Sequence, residues 1–190
     1  MSSEHPTVIF IRGIPGSGKS YLASALQESL GDEKVIMLDP DIIDYHSSEY
    51  AEHSRALSEE GVDSALHAYR FLRGKAYDAI VKNKIIIWNQ PFTNLEIFNK
   101  MVGRLRTRAT ECSTELSVIV VEVSLDPDTA IGRVTERKQA GGHGPSDNTL
   151  ERRINDYRSF KASGYDVVNV RGDGRVEDSV ASIIKALKAA

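Results

Sequence analysis

The chain has 190 residues, 41% hydrophobic and 27% charged, with a net charge of −3. That size suits one α/β domain with a real core, and so mild a charge excludes a global pull toward nucleic acid or anionic membrane. The single Cys112 excludes an intrachain disulfide framework and a multi-cysteine zinc site, and no apolar run approaches the ~18 residues of a membrane span.

The first segment, Met1–Pro6, lacks the basic and apolar stretches of a signal peptide, so the expected compartment is the cytoplasm. Thr7–Arg12 is a β-branched and aromatic run ending at glycine, which predicts a buried strand. Residues 18–30 predict a helix, with Leu22, Leu26 and Leu30 at i, i+4 spacing and Gly31 as its stop. Val35–Leu38 is a second strand, closed by Asp39-Pro40-Asp41. A polar stretch follows, then one long amphipathic helix near 61–82 with Val62, Ala65, Leu66, Tyr69, Leu72, Ala76 and Ile80 as its stripe.

Ile85–Trp88 predicts the third strand and Leu95–Arg108 another helix. Leu116–Val123 is the fourth strand, and Asp126-Pro127 opens a helix carrying Ile131 and Val134. Tyr165–Val170 is the fifth strand, and 176–188 a closing helix. Apolar strands alternating with helices mean a parallel sheet covered on both faces. The expected architecture is a single domain over 1–190, a three-layer α/β sandwich of about five parallel strands. Ligands in such sheets sit at the carboxyl ends of the strands.

Gly13-x-x-x-x-Gly18-Lys19-Ser20 lies between a strand and a helix, the context that gives this pattern meaning. Gly13, Pro15, Gly16, Ser17 and Gly18 shape a loop whose backbone wraps a phosphate, and the helix start adds positive potential. Lys19 is expected on the β- and γ-phosphates, Ser20 on Mg²⁺, and Tyr21 beside the nucleotide. The sequence has neither the Asn-Lys-x-Asp guanine signature nor a strand ending in Asp-Glu, which favours ATP over GTP and transfer over hydrolysis.

Asp39 and Asp41 follow the second strand, two apart and so side by side if that segment is extended. One would take the acceptor's proton and the other assist Mg²⁺ through water. Arg133 and Arg137 share a helix face, and a glycine-rich loop at 141–146 leads to Arg152 and Arg153. This reads as a lid over about 130–160. His143 in its loop reads as a loop residue or phosphate contact, with no ligand partner at metal spacing. Asp39, Asn89, Gln90 and Arg153 are candidate acceptor contacts.

Taken together, these residues resemble the P-loop kinases grouped with zeta toxins and polynucleotide kinases. Gly13–Ser20 resembles the family P-loop. Leu38-Asp39-Pro40-Asp41, with Tyr45-His46, resembles its Asp-x-Asp segment, whose second acid serves as base; the resemblance thus selects Asp41. Arg133, Arg137, Gly141-Gly142-His143, Pro145 and Arg153 resemble its lid. Asn89-Gln90-Pro91-Phe92-Thr93 departs from the family's acidic or Gly-Thr element after the third strand. The resemblance implies an ATP- and Mg²⁺-dependent kinase, with Lys19, Asp41 and Arg137 catalytic and a small molecule or sugar nucleotide as acceptor. Two rivals are a polynucleotide 5′-hydroxyl kinase, using a basic groove of His53, Arg55, Arg70, Arg73 and Lys75, and a nucleotide-dependent regulatory module. No residue pattern specifies an oligomeric state.

Overall fold

A computed structural model describes residues 5–142 and 144–190; His143 and the first four residues lie outside the described residues. The strands are β1 (Thr7–Gly13), β2 (Val35–Leu38), β3 (Ile85–Asn89), β4 (Ser117–Ser124) and β5 (Asp166–Arg171). The helices are α1 (Lys19–Leu30), α2 (Ser48–Glu59), α3 (His67–Val81), α4 (Leu95–Glu111), α5 (Pro127–Gln139), α6 (Asp147–Asn155) and α7 (Val176–Leu187). All four strand pairings are parallel, in the order β2-β3-β1-β4-β5. Among the described residues no helix is long and apolar enough to cross a membrane.

The two-residue period of β1 distributes its side chains to two cores. Val8 and Phe10 face Trp88, Phe98 and Leu105 under α3 and α4. Ile9 and Ile11 face Leu22, Leu26 and Ile183 under α1 and α7. Burying a side chain such as Leu22 or Leu26 contributes about 1.5–3 kcal/mol, so both helices are held mainly by their sheet-facing stripes. Local signals set the ends. Gly31 closes α1 with its amide on the Gln27 carbonyl, Asn94 caps α4 through the Ile97 amide, and Asp126 caps α5 through the Thr129 amide.

The helix expected over 61–82 starts later, at His67, and a second helix, α2, precedes it. Gly61, at φ 73°, takes the left-handed conformation that stops α2, and Asp63 caps a short turn before α3 starts at His67. Leu72, Ala76 and Ile80 keep their buried places, while Ala65, Leu66 and Tyr69 are exposed. Helix α2 falls in the stretch read as polar. Only Leu57 in it is buried, so it offers almost no apolar period to detect.

In the sheet, β3 lies between β2 and the P-loop strand β1. Residues on β3 are therefore the ones placed to connect the acids after β2 with the loop after β1.

Candidate active site

The P-loop leaves β1 at Gly13 and enters α1 at Lys19. Gly16 is the position where glycine is required. Its φ is 84°, and a Cβ there would lie 2.4 Å from the Ala130 carbonyl of α5. The loop thus packs on the first turns of the helix that carries Arg133 and Arg137. Gly13 and Ser17 are buried behind the loop, while Pro15, Gly16, Gly18, Lys19, Ser20 and Tyr21 border a cleft of about 1060 Å³.

Lys19 is half-buried and its Nζ donates to the Ile14 carbonyl at 2.8 Å. Burial pushes its ammonium down to about 8; Asp39 and Asp41 oppose the fall, while Arg137 and Arg153 add to it. A cation held this way has strong reason to take an anionic partner.

The acids after β2 do not lie in an extended segment. Asp39 has extended backbone, but Pro40–Ile42 forms a 3₁₀ turn, and the Asp39 carboxylate caps it by accepting the Asp41 amide at 2.8 Å. The expected side-by-side arrangement is therefore replaced by two different environments. Asp39 is buried and Asp41 exposed, with both on the cleft wall. Burial raises the Asp39 pKa; the hydrogen bonds from the Asp41 amide and Asn89 work against the rise.

Asn89 joins these parts. Its Nδ2 donates to Asp39 Oδ2 at 2.5 Å and to Ser20 Oγ at 3.1 Å, while Oδ1 is buried without a partner. Ser20, Asp39 and Asn89 so form a compact set of oxygens and an amide at the P-loop's edge. One carboxylate and one hydroxyl fit Mg²⁺, which takes few protein oxygens and completes its shell with phosphate and water. Gln90 does not line the cleft; it accepts from Trp88 Nε1 at 3.1 Å.

The opposite wall comes from α5, the 144–146 segment and α6. Arg133, Arg137, Gly144, Pro145, Ser146, Thr149 and Arg153 border the cleft, and Arg152 does not. Lys138 meets Asp147 at 2.8 Å and fastens the end of α5 to the start of α6. Gly142 is needed for the close turn, since a Cβ there would meet Arg137 Cγ at 2.7 Å. Arg133 Nη1 donates to the Gly172 carbonyl at 3.0 Å. A second cavity of about 350 Å³ adjoins, bordered by Gly18, Tyr21, Arg133, Arg171 and Gly172. Gly18, Tyr21 and Arg133 are shared by both.

Tyr45 was legible only through the Asp-x-Asp resemblance, yet it is half-exposed on the cleft wall with its ring edge-on to Tyr50 at 5.0 Å. Ile42, exposed beside it, carries no sequence signal at all. Of the basic groove, none of His53, Arg55, Arg70, Arg73 and Lys75 borders the cleft; Lys75 pairs with Glu49 and His53 packs on Phe71.

The zeta toxin family model matches residues 1–163, which takes in the P-loop, both acids and the whole α5–α6 pair. No curated protein matches the chain significantly. Among solved structures, a presumed kinase from Chloroflexus aurantiacus is similar with a TM-score of 0.68 at 16% identity, covering 96% of this chain and 98% of that one. A sugar kinase from Janibacter sp. HTCC2649 gives 0.60 at 17% identity, over 98% and 96%. The PezAT toxin–antitoxin system of Streptococcus pneumoniae gives 0.62 at 13% identity, over 90% of this chain and 69% of that one. At such identities the likeness is one of fold.

Proposed function

The chain belongs to the zeta toxin family, and from that premise we propose that it is a kinase moving the γ-phosphate of ATP to a hydroxyl of a small molecule or sugar nucleotide. The observation that carries this reading is the convergence in one cleft of Lys19 and Ser20, the acids Asp39 and Asp41, and the guanidiniums Arg137 and Arg153. Phosphoryl transfer asks for positioning and charge neutralisation more than for covalent chemistry, and this set supplies both.

The P-loop and the first-turn amides of α1, which have no intrahelical acceptors, hold the β- and γ-phosphates. Lys19 turns from its own loop to them. Ser20 and Asp39 would hold Mg²⁺, which would supply charge neutralisation on the phosphates. Asp41, exposed and free of the capping role that occupies Asp39, takes the acceptor's proton. The acceptor oxygen then forms its bond to the γ-phosphorus as the bond to ADP breaks. Arg137 and Arg153 meet the spreading charge from the lid. The nucleoside lies toward the smaller cavity, between Tyr21 and Arg133, and Tyr45 with Ile42 offers the acceptor an apolar face.

The test is ATP consumption by the purified protein against a panel of sugars, nucleotide sugars, nucleosides and oligonucleotides with free 5′ ends. One small-molecule acceptor raising turnover well above the water rate supports the proposal. Stimulation by oligonucleotides alone would move the assignment to a polynucleotide kinase. Tight ATP binding with no acceptor-dependent turnover would make the chain a binding module.

A further inference from the structure

Arg12 stands one residue before the P-loop, and its side chain has no exposure. It forms an ion pair with Glu122, its register partner on β4. Arg12 Nη2 also donates to the Phe92 carbonyl at 3.1 Å and to the Arg158 carbonyl at 2.8 Å. Glu122 accepts from the Phe160 amide at 2.5 Å and from the Ser159 hydroxyl at 2.6 Å. The ring centroids of Phe160 and Tyr157 lie 3.4 Å and 4.6 Å from the guanidinium carbon.

Three parts of the cleft therefore meet at one buried pair. The P-loop arrives through β1. The loop after β3 arrives through Phe92, whose φ of 43° is a conformation that a bulky residue keeps only when its surroundings hold it. The chain leaving α6 arrives through residues 157–160. The other root of the α5–α6 pair is fixed separately, where Ala130 packs on Gly16.

A buried ion pair is a poor means of gaining stability, because apolar side chains of similar volume often do as well or better. Its distinctive product is geometry, since each charge accepts partners only in certain directions. We propose that Arg12 and Glu122 are positioning residues that anchor the far hinge of the lid, so that α5–α6 closes with its exit end held at a fixed distance from the P-loop. Neither touches nucleotide or acceptor. The inference rests on the reading of α5–α6 as a nucleotide-dependent lid.

The test is the double variant Arg12→Met, Glu122→Leu, which removes both charges at similar volume. Hydrogen exchange is followed by mass spectrometry with and without Mg²⁺ and a non-hydrolysable ATP analogue. In the wild type the analogue slows exchange in residues 13–22 and in 133–155. In the double variant P-loop protection persists, but the slowing in the lid shrinks at least tenfold. Equal lid protection in the variant overturns the anchor alone. A wild-type lid that gains no protection overturns the lid reading and the anchor with it. If the double variant does not fold, Ser159→Ala cuts one tether at an exposed residue. It should speed exchange at 157–161 and weaken lid protection, and unchanged exchange there overturns the anchor.

Discussion

The side-chain amide of Asn89 lies 2.5 Å from the Asp39 carboxylate and ties the ends of two neighbouring strands together beside the P-loop. Asp39 is buried there with its pKa raised by desolvation, and the Asp41 amide and Asn89 together keep its charge tolerable.

Asn89→Leu should cost about 1–3 kcal/mol at neutral pH by leaving Oδ2 of that carboxylate without its side-chain donor. The sign of the pH dependence follows from the raised folded pKa. Folding is disfavoured once the unfolded chain ionises Asp39 more readily than the native state does, so the cost grows as pH rises through the folded pKa. The deficit against wild type should therefore shrink below pH ~4, where the carboxyl is protonated in both states. Urea midpoints across pH check this; a deficit constant with pH would assign the loss to packing.

Lys19→Ala should lose most nucleotide affinity and nearly all turnover while keeping its melting temperature. In the wild type, the ammonium sits near pKa 8 before binding, and bound phosphate needs it charged. Binding should then take up a proton above pH 8, and affinity should fall by about tenfold per pH unit there. Calorimetry in buffers of different ionisation enthalpy measures the uptake. No proton uptake at pH 8.5 would place the cation's charge outside the binding step.

Asp41→Asn should bind MgATP normally and lose acceptor-dependent transfer by roughly 10²–10⁴-fold. Asp39→Asn should weaken the Mg²⁺ dependence as well, because Asp39 stands with Ser20 on the same amide. Steady-state kinetics at varied Mg²⁺ separates the two. A transfer loss confined to Asp39→Asn, with Mg²⁺ dependence unchanged, would reverse the roles.

Arg137→Ala should lower kcat more than it raises the KM for ATP, as expected of a contact made mainly when charge spreads in the transition state. Arg133→Ala should chiefly raise that KM, since Arg133 borders the smaller cavity and holds the Gly172 carbonyl. Arg137→Lys keeps the charge and loses the planar fork. Full turnover in Arg137→Lys would mean charge alone suffices, and full turnover in both alanine variants would reduce the α5 face to a solvated surface.

Most of the fold is legible in the sequence because each strand of the sheet carries a β-branched run, and α1, α4 and α5 carry a glycine stop or a side-chain cap. The P-loop and the α5 arginines are legible for a related reason: their spacing alone carries the geometry. The helix pair α2–α3 is harder, since α2 buries only Leu57 and rests on α3 without a stripe of its own. Asn89 is read in sequence as a departure and a candidate acceptor contact, not as a bridge; the bridge depends on β3 lying between β2 and β1, which no local pattern encodes. Arg12 and Glu122 give no signal either, because their partners lie as far off as Arg158.

The position of β1 in the sheet also has a cost during synthesis. Thr7 pairs with Ile85 on one side and Ser117 on the other, so the strand that leads into the P-loop leaves the ribosome before either neighbour and waits for both. Until β3 and then β4 emerge, Val8–Ile11 is an apolar segment with both edges unpaired, the kind that nascent-chain holdases shield. Nucleotide cannot assist this early stage, because its cradle takes shape only once Val123 backs Gly13 and Ala130 backs Gly16. Truncated chains ending before β4 should therefore be protease-sensitive whether or not ATP is present.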